Sequence, residues 1–309
     1  MYASFMRYAV LLPAGLIILG GCVSMRNRGA VPEAVANCRE LSRQGATAVE
    51  AGQWNKAEGL LRKAIEVSPT DAASRYQLAE LLWQHGAKDE ALLQIETAIR
   101  LDSLDATMIV RSGEMLLAMG DIDRALERAD QALGFDSRLA SAWALRGQVY
   151  LELGQPKRAL ADLQRALQFS PGKKDILLDM AVIYRQQGEH QRCLTTLQHL
   201  LDSCSPGEEP SVALLLEGET LSDLGRWDDA RIRFLALRER TPLDANLLYL
   251  LAQSEYMTNH PESAATTVQE ALLANASHIP SRKLLAKLGE PTSKSTGGNS
   301  ESSGGRLLR

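Results

Sequence analysis

Small residues return along the chain at a fixed interval and cut it into matching blocks. Glycine stands at Gly52, Gly86, Gly120, Gly154 and Gly188, each 34 residues after the last. Five positions after these come Ala57, Ala91, Ala125, Ala159 and then Cys193, and seven further on Ala64, Ala98, Ala132, Ala166 and then Leu200. A step of 37 leads to Gly225, Ala230 and Leu237, and another of 34 to Asn259, Ala264 and Ala271. Seven positions before each glycine place, a fourth column reads Gly45, Ala79, Gly113, Gly147, Ala181, Gly218 and Ala252. Apolar residues at helical spacing precede and follow every glycine place, which predicts two helices per block. The glycine falls where the first helix stops, a position that accepts a left-handed cap. The Gly or Ala seven positions earlier and the Ala five later mark where the two helices approach most closely, so a larger side chain there overpacks the contact at a cost of about 1–3 kcal/mol. No block can bury its apolar face alone. Blocks must therefore stack, and stability becomes a sum of interfaces between neighbours.

The fourth block carries Trp143, Gly147, Tyr150, Gly154, Ala159, Leu163, Ala166 and Pro171. In this it resembles the tetratricopeptide repeat, a unit of two antiparallel helices. Pro69, Pro171 and Pro242 close their blocks, where proline ends a helix. The resemblance runs from about Cys38 to Ala276. It implies an all-α, right-handed superhelical solenoid of seven helix-turn-helix units with a C-terminal capping helix, over residues 35–289. Asn259 departs from the glycine pattern but tolerates the same backbone geometry. The extra three residues of the long step fall in Asp202–Pro210, a surface loop. Pro280 to Leu288 reads as the cap, with Leu284, Leu285 and Leu288 inward and Arg282, Lys283 and Lys287 supplying a polar outer face. Residues 290–309 turn to Gly, Ser and Thr, a flexible tail.

The amino terminus has a different character. Arg7 precedes an apolar stretch from Tyr8 to Gly21, short for a bilayer span and suited to an export signal. It ends in Leu19-Gly20-Gly21-Cys22, which resembles the lipobox of bacterial lipoproteins. That resemblance implies a signal peptide over 1–21, acylation of Cys22, and a lipidated linker over 22–34. Several acyl chains make a firm anchor where a single one is marginal. An ordinary cleaved signal or a short uncleaved span is the alternative. Val23, in the place where an Asp commonly retains such proteins at the inner membrane, favours by resemblance the outer membrane, facing the periplasm. Arg26 and Arg28 either meet anionic head groups or are solvated linker charges.

Charge and chemistry narrow the function classes. The chain has 34 Lys and Arg against 38 Asp and Glu, a net charge of −4, which argues against general nucleic-acid binding. Beyond Cys22 only Cys38, Cys193 and Cys204 remain, an odd set that describes no disulfide framework. Ser170 and Lys173 have the Ser-x-x-Lys spacing of penicillin-recognising enzymes but fall on a turn between blocks. His190, Cys193 and His199 diverge around one helix, so no metal site is expected. There is no phosphate-binding glycine loop and no nucleophile elbow, and titratable residues are spread evenly. The reading is a non-enzyme with no catalytic residues and no cofactor.

Binding remains. In the repeat family ligands lie in a concave groove lined by each unit's first helix. Carried over by register, the groove residues with side chains suited to a partner are Tyr76, Glu80, Trp83, Glu114, Gln148, Arg185, Glu219, Tyr249, Gln253 and Tyr256. Tyr76 with Trp83, and Tyr249 with Tyr256, are pairs seven residues apart on one helix face. These rings either anchor a protein segment or pack against the neighbouring unit. The family's carboxylate clamp, with Lys at the place of Ala144 and Asn at the place of Gln148 in a unit, is absent from all seven units. The expected function is a non-catalytic, periplasm-facing scaffold that binds a segment of another envelope protein and tethers it to the membrane through its lipid. The second hypothesis is an array that self-associates as a homo-oligomer and takes no peptide.

Overall fold

The computed structural model describes residues 33–240 and 244–289. The lipobox with Cys22, Pro242 and the tail lie outside the described residues. The described residues fall into two compact parts, one ending at Leu78 and one starting at Ala79. All regular structure among them is helical, in fifteen helices. The first part holds α1 (Glu33–Glu50), α2 (Trp54–Val67) and the start of α3 (Ala72–Gln84). The second continues with α4 (Lys88–Leu101), α5 (Ala106–Ala118), α6 (Ile122–Phe135), α7 (Ala140–Glu152), α8 (Pro156–Phe169) and α9 (Lys174–Gln186). It ends with α10 (His190–Asp202), α11 (Ser211–Asp223), α12 (Trp227–Arg238), α13 (Ala245–Met257), α14 (Pro261–Ala274) and α15 (Ile279–Gly289).

Helix ends follow from local chemistry. Gly154 has φ 67°, and the backbone N–H groups of Gly154 and Gln155 donate to the carbonyls of Leu151 and Tyr150 at 2.9 and 2.8 Å. That left-handed cap satisfies carbonyls that would otherwise lack donors, and only glycine adopts it without strain. Asn259 takes the same conformation at φ 63° and closes α13 in the same way. Starts are capped by Asp105, Asp121 and Asp244, whose carboxylates accept N–H groups of α5, α6 and α13. Pro156 and Pro261 open α8 and α14, where a missing N–H costs nothing.

Within the first part α1 packs on α2, with Gly45 against Leu61. Ser42 and Cys38 of α1 both reach Ser74, whose hydroxyl also donates to Asp71. In the second part each helix from α4 to α15 for which packing is described rests on its chain neighbours, and α5, α7, α9 and α11 also touch in turn. This is nearest-neighbour stacking of helix pairs. The column Ala57, Ala91, Ala125, Ala159, Cys193, Ala230 and Ala264 is fully buried, as its spacing predicts. A further column is more telling: Leu61, Ile95, Ala129, Leu163, Leu197, Phe234 and Val268 stand nine residues after each glycine place and are buried to 1% exposure or less. These side chains fill the space that the small residues of the first helices leave. Where the column shrinks to Ala129, Leu145 of α7 comes in instead: a Cβ added to Gly113 would lie 2.5 Å from its Cδ2.

The cysteines take up packing roles. Cys193 is buried with its Sγ 3.3 Å from Thr220 Oγ1, and Cys204 Sγ lies 3.4 Å from the Leu200 carbonyl. His199 is exposed on the far side of α10 from Cys193. The Asp202–Pro210 loop is pinned to the end of the following unit by Glu209, which accepts from Arg240 at 2.7 Å.

Candidate functional site

Along the first helices of the second part, most of the polar residues expected in the groove are bonded to the next unit. The Arg111 guanidinium donates to both oxygens of Glu80, at 2.6 and 3.0 Å, and to Glu114 at 2.9 Å. These bonds raise the Arg111 pKa, the Glu80 pair contributing most. Gln148 donates to Asp179 at 2.7 Å. Burial raises the Asp179 pKa, partly offset by that bond. Arg185 reaches Glu219 at 2.6 Å and Asp223 at 3.0 Å, and burial pushes the Glu219 carboxyl up while Arg185 holds it down. So Glu80, Gln148, Arg185 and Glu219 form a ladder of links between units, and Glu114 holds Arg111 from within its own helix. Ala144 and Leu151, on the helix that carries Gln148, and Leu178 and Val182, on the helix that carries Arg185, pack against the core around Trp143 and Tyr184.

The aromatic pairs are placed differently from one another. Tyr76 is half-buried on α3 within the first part. Trp83 belongs to the second, and Lys88 Nζ sits 5.4 Å from its ring centroid, within cation–π range. Tyr249, Gln253 and Tyr256, by contrast, line an open hollow of about 370 Å³ between α13 and α15. A second hollow of about 540 Å³ adjoins it, lined by Leu215, Glu219, Asp244 and Leu250, and the two share Tyr249 and Pro280. The Tyr249 ring meets His278 edge-on at 5.7 Å. The His278 ring is itself fixed at both nitrogens, by Ser281 Oγ at 2.7 Å and Asn246 Oδ1 at 2.9 Å. The wall between the hollows is thus held through both ring nitrogens of His278.

One expectation is corrected here. Lys283 and Lys287 are not confined to the outward polar face of a cap; both line the hollow opposite Tyr249 and Tyr256. The reason is register. Lys283 and Lys287 stand 34 residues after Tyr249 and Gln253, so α15 behaves as the first helix of one more unit and extends the same lining.

Sequence signatures described as tetratricopeptide repeat match residues 48–108 and 150–203, and others of the same description match 111–174 and 215–278. The chain belongs to the tetratricopeptide repeat family. Solved structures agree on this fold. A tetratricopeptide repeat protein from Parabacteroides merdae is 18% identical with a TM-score of 0.58, over 82% of this chain and 98% of that one. PilW, a type IV pilus biogenesis factor, is 19% identical at a TM-score of 0.61, over 69% and 98%. YrrB, a repeat protein with an unusual peptide-binding site, is 23% identical at 0.53, over 62% and 97%. No curated protein matches the sequence. In this tetratricopeptide repeat chain, among the described residues, no group of His, Cys, Asp and Glu could hold a metal ion, and no helix is long and apolar enough to cross a membrane.

Proposed function

We propose that the chain is a non-catalytic scaffold that holds a segment of another protein along its first-helix face, with the α13–α15 hollow as the main seat. The observation that carries this reading is the contrast along that face. Its middle is closed by bonds between units, while its C-terminal end keeps two adjoining hollows with a hydrogen-bonded aromatic wall. Rigid aromatic anchors give contact area at low entropic cost. The lipobox-like Leu19–Cys22 supports tethering by lipid in a bacterial envelope, facing the periplasm, and Val23 favours the outer membrane. The likeness to PilW supports, at the level of fold, a part in assembling envelope machinery such as a pilus, secretion or cell-wall apparatus.

The test is photo-crosslinking in cells from position 249, with position 165 as control. A discrete adduct from 249 alone is expected, and its identification names the process. Equal adducts from both positions, or adducts only between copies of this chain, would replace the scaffold with a self-associating array. In the same cells Cys22→Ser should leave the membrane fraction and lose its acyl label; a variant still acylated and membrane-bound removes the anchor from the proposal.

A further inference from the structure

We propose that the α13–α15 hollow takes an extended segment in which an apolar side chain is followed by acidic residues. This rests on the scaffold reading and specifies the chemistry of its partner. The first argument is charge. Arg111 and Arg185 on this face are each held by two carboxylates, whereas Lys283 and Lys287 have no hydrogen-bonded or ion-paired partner among the described residues. Four residues apart on α15, the two ammonium groups share one helix face and can meet adjacent carboxylates. Among the described residues no carboxylate is paired with them.

The second argument is the apolar rim. Tyr256, Met257 and Ile279 are 38%, 50% and 63% exposed around the same hollow, a cluster of large side chains left in water. The about 370 Å³ beneath them accommodates a side chain of leucine or phenylalanine size. The third argument gives direction. The adjoining hollow is edged by Asp244, whose carboxylate repels acidic residues, and by Glu219, which is already paired with Arg185. An acidic run is thus kept over α15, and the apolar anchor lies toward Tyr249. Because His278 already fixes the Tyr249 wall, little ordering is needed on binding.

The experiment is selection of a displayed library of short random peptides on the purified full chain, followed by affinity measurement of the winners. Winners are expected to carry a large apolar residue followed by Asp or Glu. Their affinity should fall at least about tenfold in Lys283→Glu/Lys287→Glu and weaken as salt is raised. Both lysines are exposed, so this variant keeps the wild-type helical circular dichroism. Basic or purely apolar winners, or winners indifferent to the charge reversal, overturn the proposal. Winners lost only on changing Tyr76 and Trp83 leave the scaffold reading standing and remove this site. An absence of winners removes both. Two further arms identify other occupants and would equally refute the partner chemistry. One is about tenfold tighter peptide binding after deletion of residues 290–309, which assigns the hollow to the tail. The other is lysine-dependent binding to phosphatidylglycerol vesicles without any peptide winner.

Discussion

Replacing Gly147 by leucine removes about 3 kcal/mol or more of stability from the array, the upper end of the overpacking range. A Cβ alone at this position would lie 2.9 Å from Leu163 Cγ and 3.2 Å from the Ala159 carbonyl oxygen. The second contact is backbone, so no side-chain rotation relieves it, and the three further carbons of leucine must displace α8 from α7. Both helices are buried on this face, with Leu145, Val149, Ala159 and Leu163 at 1% exposure or less. Urea unfolding followed by circular dichroism should show the loss as a lower midpoint. In a stacked array the damage stays near its source, so amide exchange should accelerate in α7 and α8 before it does in α13 to α15. An unchanged midpoint would mean that these helices do not touch where the small column places them. Gly154→Ala is the matched control. Nothing lies within 4 Å of a Cβ there, and its cost is only the strain of φ 67°, about 1–2 kcal/mol.

The second large effect is at Phe234. It heads the fully buried side chains by volume, and it packs with Leu194, Leu214, Leu221 and Leu251 under Gly218. Phe234→Ala should cost about 3–5 kcal/mol, through lost transfer energy and a cavity that rigid helices cannot close. Its partner makes the test specific. A Cβ on Gly218 would stand 2.6 and 2.9 Å from two ring atoms of Phe234, so Gly218→Ala is destabilising while the ring is present. Once the ring is gone the added methyl enters free space. The double variant should therefore be less destabilised than the sum of the singles, with a coupling of about 1 kcal/mol or more. Simple additivity would place the ring elsewhere.

How far the sequence foretold this molecule depends on which residues are asked. The glycine places were legible because left-handed caps admit few residues: Gly52 through Gly225 and the exception Asn259 all have positive φ. The small columns were legible because close helix approach favours Ala or Gly, with Cys193, Leu200 and Leu237 as the exceptions. The column of Leu61, Ile95, Leu163, Leu197 and Phe234 was less so, since any large apolar residue serves there and the type varies from unit to unit. The groove was the least legible. Register placed Glu80, Gln148, Arg185 and Glu219 on one face, but whether a polar side chain there awaits a ligand or bonds to a neighbour depends on distances that no pattern encodes. Lys283 and Lys287 look like part of a cap because α15 lacks the glycine and the second helix that mark a full unit. Counting 34 residues on from Tyr249 and Gln253 was the signal that could have found them.

The ladder of polar links between units bears on how such a chain can change over time. Its buried columns share one register, so excising one block of 34 residues would leave each of them in phase. The links are not interchangeable. Arg111, which answers Glu80, has Leu145 at the same place in the next block, and Asp179, which answers Gln148, has Leu216 in the block that follows its own. Shuffled blocks would still stack, yet Glu80 and Gln148 would find leucine where they now find a charge. Each joint thus carries its own address. The repeats supply the material for lengthening or shortening the molecule, and the polar pairs record the order in which its blocks belong.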